Sequence, residues 1–400
     1  MSKTNIQKKS SKRDLSSNAF RETMAAYGFL LPNFLGFAIF TAIPVVVSLF
    51  MAFTYWNIFS KPIWIGLDNF RSLLWFRHDG GHLVPNDPFF WQYLYNTVFL
   101  MMGIPLGMAG SLILALMLNQ KIKGVVFFRT VYFLPSVSAG VALLILWKYI
   151  FNSEVGLLNQ CIRSAGAVIY ASKPLAMLFT IFCAAVFGLI IIGIIASVLS
   201  FLSWICEKLK FYWPEWLYRI LVILSSAAVY IIIAAYGRSF FVTMSNFMGD
   251  PPNWLGMVSW AKPSLMFMGF WGSIGGFNAI LYLAALQGVP RSMYEAAEID
   301  GASGWKKFWS VTWPMISPTT FYIMIMGVIA GMQSGFMQAK IMTGGGPVGS
   351  TTTLEYYLYK TAFENFNMGY ASAISWFIFI VVLMLTLITW KLGGQLVSYE

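Results

Sequence analysis

Charged positions along this chain are gathered into short clusters. Between them lie eight stretches with no Lys, Arg, Asp or Glu: residues 23–60, 88–120, 130–147, 174–206, 220–237, 263–290, 310–339 and 365–390. Each is near or beyond the roughly 20 residues that a helix needs to cross a bilayer, so the pattern predicts eight spanning helices. Pro44, Gly103 with Pro105, Pro135, and Gly275 with Gly276 fall inside these stretches. In a membrane such residues read as kinks and close helix contacts, because neighbouring helices satisfy the backbone groups they free. The pattern therefore predicts an all-α, polytopic membrane helix bundle.

Composition agrees with that class. Of 400 residues, 58% are hydrophobic and only 10% charged, with a mean hydropathy of +0.70, whereas soluble domains run near 25% charged. Orientation follows from the Lys and Arg, which cytoplasmic loops retain. Lys3, Lys8, Lys9, Lys12, Arg13 and Arg21 place the N-terminus inside. Alternation then puts Lys121, Lys123, Arg129, Lys208, Lys210, Arg219, Arg291, Lys306, Lys307 and Lys391 on the same side, 16 basic residues inside against 10 outside. Eight spans leave both termini inside, and the +11 net charge reads as membrane topology rather than nucleic-acid affinity.

The side-chain inventory narrows the function. Cys161, Cys183 and Cys206 are too few and scattered for a disulfide framework or zinc site and read as small buried apolar residues. His78, His82 and Asp79 share one short loop, read as solvated, and no metal is assigned. The predicted spans are nearly devoid of ionisable residues and offer no Lys or Arg, which disfavours ion-driven transport. Residues 343–347 read Thr-Gly-Gly-Gly-Pro without the lysine of a phosphate-cradling loop, so any ATP must be hydrolysed by a partner. No Ser/His/Asp set, paired carboxylate or metal cluster supports catalysis in this chain. The N-terminus is too polar for a cleavable secretion signal.

Residues 289–318, between the sixth and seventh predicted spans, carry the most information. Their pattern predicts a helix starting after Pro290 and stopped at Asp300-Gly301, then a second short helix ended by Pro314. Its exposed face would carry Tyr294, Ala297, Ile299, Phe308 and Val311. A bent amphipathic pair suits docking into a groove of a soluble partner. Trp305, Lys306, Lys307 and Trp309 equally suit a helix lying among lipid headgroups.

The order Glu295-Ala296-Ala297, Asp300-Gly301-Ala302, Phe308, Pro314 and Pro318 resembles the cytoplasmic signature of permease subunits of binding-protein-dependent ABC importers of the carbohydrate-uptake type, similar to the maltose and glycerol-3-phosphate permeases. Trp313 and Val311 depart from the family's usual Leu and Ile. Phe128 to Pro135 and Gly66-Leu67-Asp68-Asn69-Phe70 extend the resemblance. Gly344-Gly345-Gly346-Pro347, Thr352-Thr353-Leu354, Ala362-Phe363 and Gly369-Tyr370-Ala371 are similar to the first of the two maltose permease subunits. The resemblance implies a non-catalytic transport subunit of a prokaryotic cell (inner) membrane, forming half of a translocation path. Its implied partners are a second permease, two copies of an ATP-binding subunit holding ATP and Mg, an extracytoplasmic solute-binding protein, a sugar and membrane lipid. It gives Glu295, Ala296, Ala297, Asp300, Gly301 and Ala302 the coupling role toward the ATPase, and Gly345, Gly346 and Pro347 a contact with the binding protein; ordinary turn chemistry accounts for that glycine loop equally well.

The resemblance divides the chain into a basic tail 1–22, core spans within 23–164, an inserted transmembrane hairpin 165–249, and the last three core spans within 250–400. Adding two spans leaves the downstream topology unchanged. Aromatic and neutral polar residues flanking the coupling loop supply a substrate path: Trp271, Ser273, Phe277 and Asn278, then Gln333, Ser334 and Gln338. Ser273 and Phe277 are expected to share a helix face, as are Ser334 and Gln338; interhelical polar contacts explain the same residues. A stand-alone channel or secondary carrier, and an importer for glycerol 3-phosphate, remain the alternatives.

Overall fold

The computed structural model describes residues 3–120, 123–137, 140–208, 215–235 and 237–393. The first helices are α1 Lys3–Phe37, α2 Ile43–Ala52, α3 Asp68–Leu74, α4 Pro88–Met101, α5 Gly103–Leu118, α6 Val125–Val137 and α7 Gly140–Ile150. The central group is α8 Leu157–Tyr170, α9 Lys173–Lys208, α10 Glu215–Ala235 and α11 Gly237–Gly249. The chain closes with α12 Val258–Ile274, α13 Gly276–Gly288, α14 Arg291–Ile299, α15 Gly304–Lys307, α16 Trp313–Met332, α17 Phe336–Gln338, α18 Leu354–Tyr359 and α19 Met368–Gly393.

Among the described residues the all-α expectation holds apart from two small antiparallel hairpins. One pairs β1 Thr54–Tyr55 with β2 Ile63–Trp64; the other pairs β3 Phe76–Asp79 with β4 His82–Pro85. In the second, His78 lies opposite Leu83 and Asp79 opposite His82. Cross-strand partners share a face and successive residues alternate, so His78 and His82 point to opposite sides of an exposed hairpin rather than sharing an irregular loop.

Six stretches among the described residues are long and apolar enough to cross a membrane: Phe20–Ala52, Pro88–Leu118, Lys173–Gly193, Val258–Gly288, Gly304–Met332 and Met368–Lys391. The predicted windows 130–147 and 220–237 are not among them. The first falls on the two shorter helices α6 and α7; the second lies on α10, where the apolar stretch Arg219–Ala228 is followed mostly by positions whose side chains fall outside the described residues. Within the basic segment 1–22, α1 starts at Lys3 and runs on into the first span. Lys262, in the opening turns of α12, lies within a spanning stretch, which corrects the expectation that no span carries a Lys or Arg. Cys161 is exposed and Cys183 half-buried, so neither is the fully buried small residue expected of them; the Cys206 side chain falls outside the described residues.

Prolines that would stop a soluble helix are absorbed by local winding. A five-residue π turn, Ala38–Ala42, stands immediately before Ile43-Pro44, and another, Phe308–Thr312, immediately before Trp313-Pro314. A proline cannot donate to the carbonyl four residues back, and a π turn shifts that pairing by one residue. Helix can therefore run through Pro314, and the predicted stop there does not occur. Pro318 lies inside α16, where the Pro314 carbonyl accepts the Ser317 hydroxyl at 2.7 Å instead.

The chain forms two compact units. One comprises Met1–Lys123, Phe277–Ala339 and Thr352–Glu400, and the other Gly124–Gly276 with Lys340–Thr351. In the first, α16 packs against α4, α5 and α19, while α19 also packs against α2, α3 and α18. Leu73, Phe90, Met332, Leu354, Ile374, Ile378 and Val382 form its buried core, with the Phe90 and Phe377 rings edge-on at 4.9 Å. The Gly369 Cα lies so close to the Thr54 carbonyl that a side chain there would collide with backbone.

In the second unit α9 runs along α10, and α8 packs on α11. Gly166 on α8 leaves room for Met248 on α11, where a Cβ would come within 2.9 Å of the methionine's own. Phe151, Phe247 and Trp260 pack edge-on or tilted around Trp254, whose indole N–H donates to the Asn159 side-chain oxygen at 2.5 Å.

Candidate functional site

Residues 289–318 fold as a helix, a tight turn and a second helix. Pro290 starts α14 with extended backbone, φ −61° and ψ 134°, as a proline before the first turn favours. At the other end the Gly301 amide donates to the Glu298 carbonyl at 3.0 Å and the Ala302 amide to the Ala297 carbonyl at 2.9 Å. This paired pattern needs a left-handed residue just past the helix, and Gly301 supplies it with φ +71°. Ser303 then opens α15, its hydroxyl accepting the Lys306 amide at 3.4 Å.

Two side-chain contacts hold the bend. Lys307 Nζ meets Glu298 Oε1 at 2.7 Å, and the hydroxyls of Tyr294 and Thr312 lie 2.9 Å apart. These contacts decide which residues face outward. Glu295, Ala296, Ile299, Asp300 and Gly301 are exposed, Ile299 by 87%. Tyr294, Ala297 and Phe308 are half-buried and Val311 is buried. Of the five residues expected on the exposed face, then, Ile299 alone is fully there. The others turn inward because Tyr294 and Thr312 bond across the bend and Val311 sits at the start of the span. Of the six residues given the coupling role, Glu295, Ala296, Asp300 and Gly301 are presented, while Ala297 and Ala302 supply the turn's backbone bonds.

The expected substrate-path residues are arranged differently from a pair of continuous helix faces. Trp271 and Ser273 belong to α12, Phe277 and Asn278 to α13, and the helix is broken at Gly275, with Gly276 at φ +61°. Gly275 is pressed against the Tyr132 carbonyl of α6, which leaves no space for a Cβ. The break removes the four-residue spacing argument for Ser273 and Phe277. The same holds for Ser334 and Gln338. Gln333 caps α16, Ser334 lies beyond it, and Gly335 at φ +104° reverses the chain before α17. Trp271 and Phe277 are exposed by 60% and 62%; Gln333 and Ser334 are exposed, Asn278 and Gln338 half-buried.

The glycine loop is tied across its base. The Thr343 and Thr351 hydroxyls lie 2.6 Å apart, Gly345 N donates to Thr343 Oγ1 at 3.2 Å, and Thr351 Oγ1 donates to the Gly346 carbonyl at 2.9 Å. Gly346-Pro347 is a cis peptide. Gly345 is buried, Gly346 and Pro347 are half-buried, and Val348, 85% exposed, forms the tip.

A second polar centre was not read from the sequence. Asp87 Oδ2 accepts the phenol of Tyr357 at 2.7 Å and that of Tyr370 at 2.6 Å, while Oδ1 caps α4 by accepting the Phe90 amide at 3.1 Å. Burial, together with the neighbouring Asp87 carboxylate, holds the Tyr357 phenol well above its ordinary value. Nearby, Glu355 Oε2 accepts the Phe336 amide at 2.9 Å; burial raises its carboxyl above the ordinary range and that amide pulls it partly back. Asp87-Pro88 is a legible helix start, but nothing local names tyrosines 270 and 283 residues away. Asn69 was read only as part of a resembling stretch. It is buried, donating to the Ala52 and Thr54 carbonyls at 2.9 Å each.

Known proteins share this chain's sequence and fold. It is 28% identical over 387 residues to a protein of Bacillus subtilis (strain 168) named "Probable ABC transporter permease protein YesP", across 95% of this chain and 94% of that one. It is 29% identical over 305 residues to "Lactose transport system permease protein LacF" of Rhizobium radiobacter, across 75% of each. The fold is similar, with a TM-score of 0.62 and 19% identity over 95% of this chain and 98% of the other, to a chain of a bacterial alginate ABC transporter solved in complex with an alginate pentasaccharide-bound periplasmic protein. Residues 190–390 match the family described as "Binding-protein-dependent transport system inner membrane component". With its apolar helices and a match covering half its length, the chain belongs to that family and is a multi-pass membrane permease subunit.

Proposed function

We propose that this chain is one of two permease subunits of an ATP-driven sugar importer. It forms half of the translocation path and converts ATP hydrolysis by a partner into alternation between inward- and outward-facing states. The observation that carries this reading is the rigid bend at 299–303, which presents Glu295, Ala296, Ile299 and Asp300 while Glu298 and Tyr294 brace it from behind. A loop meant to transmit force must not fold away under load, and a knuckle closed by paired backbone bonds around Gly301 meets that need.

In this reading both termini and residues 289–318 are cytoplasmic, and two copies of an ATP-binding subunit holding ATP and Mg dock on the bend of this chain and of a second permease. An extracytoplasmic binding protein delivers the solute near Gly345, Gly346 and Pro347. Segment 165–249 is a peripheral hairpin inserted into the permease core. Trp271, Ser273, Phe277, Asn278, Gln333, Ser334 and Gln338 line the path, offering the aromatic faces and neutral hydrogen-bonding groups that sugars need. Support for a sugar comes from the relative named for lactose and the fold neighbour named for alginate.

The test is purification of the tagged chain in mild detergent, with and without Gly301→Pro, followed by sugar-stimulated ATP hydrolysis in reconstituted vesicles. Proline at φ +71° is excluded by its ring. A second permease and an ATPase should accompany the native chain near stoichiometry, and the ATPase should be lost from the variant. A chain that purifies alone in both cases overturns the reading in favour of a channel or carrier. Glycerol 3-phosphate belongs among the tested solutes, because Lys262 supplies a cation within a spanning stretch.

A further inference from the structure

Three tryptophans, Trp305, Trp309 and Trp313, recur at four-residue intervals through α15, the π turn and α16. Their rings form a continuous ladder: Trp305 to Trp309 is 5.7 Å between centroids and Trp309 to Trp313 is 5.6 Å, with Phe308 5.1 Å from Trp309. Exposure falls along the ladder, from 73% at Trp305 to 49% at Trp309 to a half-buried Trp313. Lys306 is exposed beside it, whereas Lys307 is held by Glu298.

Length decides where the ladder sits. The 20 residues of α16 rise about 30 Å, the thickness of the hydrocarbon core. The whole apolar stretch Gly304–Met332 has 29 residues, which rise about 43 Å and so outrun that core by about 13 Å, or about nine residues. The excess falls at the N-terminal end, because residues 310–339 carry no charge and the lysines stand at 306 and 307. Trp309, about 6 Å beyond Trp313, therefore lies in the headgroup layer, and Trp305 and Lys306, a further turn out, stand at its aqueous edge. Indole rings favour that layer, being apolar with one polar edge, and a lysine there meets phosphate.

We infer that the loop is divided between two partners: the Trp305–Lys306–Trp309 patch is a membrane anchor that binds anionic phospholipid headgroups, leaving α14 and the bend at 299–303 for protein. The anchor rests on the helix lengths and the aromatic ladder, not on the coupling reading. It fixes the base of α15 at the interface, so that a push on α14 is delivered into α16 rather than spent lifting the loop.

The experiment places a nitroxide label at Trp309→Cys, in a chain with Cys161, Cys183 and Cys206 changed to serine, in the complete complex in vesicles of phosphatidylethanolamine and phosphatidylglycerol. The expected oxygen-to-nickel-chelate accessibility ratio is several-fold higher than at Glu295→Cys and unchanged when the ATPase is stripped off. A ratio equal to that at Glu295→Cys, or one that changes on stripping, overturns the anchor and gives the patch to the ATPase. Independently, the Glu295→Cys label should be protected only while the ATPase is bound; failure of that arm counts against the coupling reading and leaves the anchor standing. Should the labelled chain not fold, brominated phosphatidylglycerol is added to vesicles holding the native chain or Trp309→Phe. Loss of a quenched component in the variant supports the anchor, and identical quenching overturns it.

Discussion

Glu298 and Lys307 meet at 2.7 Å across the bend joining α14 to α15, with the lysine side chain 24% and the glutamate side chain 61% exposed. A pair this open contributes about 0.5 kcal/mol, most of it lost at high salt. Glu298→Gln and Lys307→Met should each leave the chain folded and lower its melting temperature only slightly. A double-mutant cycle should give a coupling of about 0.5 kcal/mol at low salt that vanishes in molar salt. A coupling above about 2 kcal/mol would mean that the pair is desolvated in the working complex.

Gly301 is strained for any residue with a side chain, since its φ is +71°. Gly301→Ala should cost about 1 kcal/mol at the bend and Gly301→Val somewhat more, with Gly301→Asn the mildest. Because the bend is local and exposed, membrane insertion should be unchanged while sugar-stimulated ATP hydrolysis falls in the order Asn, Ala, Val. Equal activity in all three would show that the turn's geometry does not matter for coupling.

Asp87 joins the starts of α4 and α19 to α18 through one carboxylate. Asp87→Ala removes a helix cap and two charge-assisted bonds, for an expected loss of about 3 kcal/mol. Asp87→Asn keeps the cap and should lose about half of that. Denaturation in detergent, followed by intrinsic fluorescence, distinguishes them. The Tyr357 phenol is raised above its ordinary 10.0, so its contribution is complete below about pH 10 and is lost as pH climbs past that value. The melting temperature should therefore fall more steeply above pH 10 in the native chain than in Tyr357→Phe.

Glu355 behaves with the opposite practical sense from an ordinary salt-bridged acid. Its folded value is raised above the ordinary 4.5, so the stability it confers is full below that value and is lost as pH rises through the raised one. Lowering the pH from neutral into the mildly acidic range should stabilise the α17–α18 junction. Glu355→Gln, whose carbonyl still accepts the Phe336 amide, should be more stable than the native chain at neutral pH and should remove that part of the pH dependence. Hydrogen exchange at the Phe336 amide reports it directly.

Gly369→Ala drives a methyl group into the Thr54 carbonyl. Backbone cannot rotate away as a side chain can, so the variant should lose about 3 kcal/mol, whereas Gly288→Ala, with open space around it, should be neutral. Comparing folded yields of the two in detergent checks the contrast.

Sequence alone determined what depends on composition over a local window. Transfer of apolar surface into lipid acts on each stretch separately, so most spans and the Asp300-Gly301 helix stop were legible without the fold. Tertiary structure decided what depends on which surfaces meet. A π turn before Pro314 let the helix run on where proline alone predicts a stop. The Gly275-Gly276 pair was legible as a kink or close contact, but only the structure shows it as a full break, pressed against the Tyr132 carbonyl, that splits a face four-residue spacing had joined. The Asp87 carboxylate found its tyrosines 270 and 283 residues downstream. Even within the signature loop, the motif named residues and the packing chose among them, turning Tyr294 and Val311 inward and leaving Glu295 and Ile299 outward. Periodicity records how a helix faces its surroundings on average; a bond across a bend, or a carbonyl pressed on a glycine, is set by the one neighbour that arrives there.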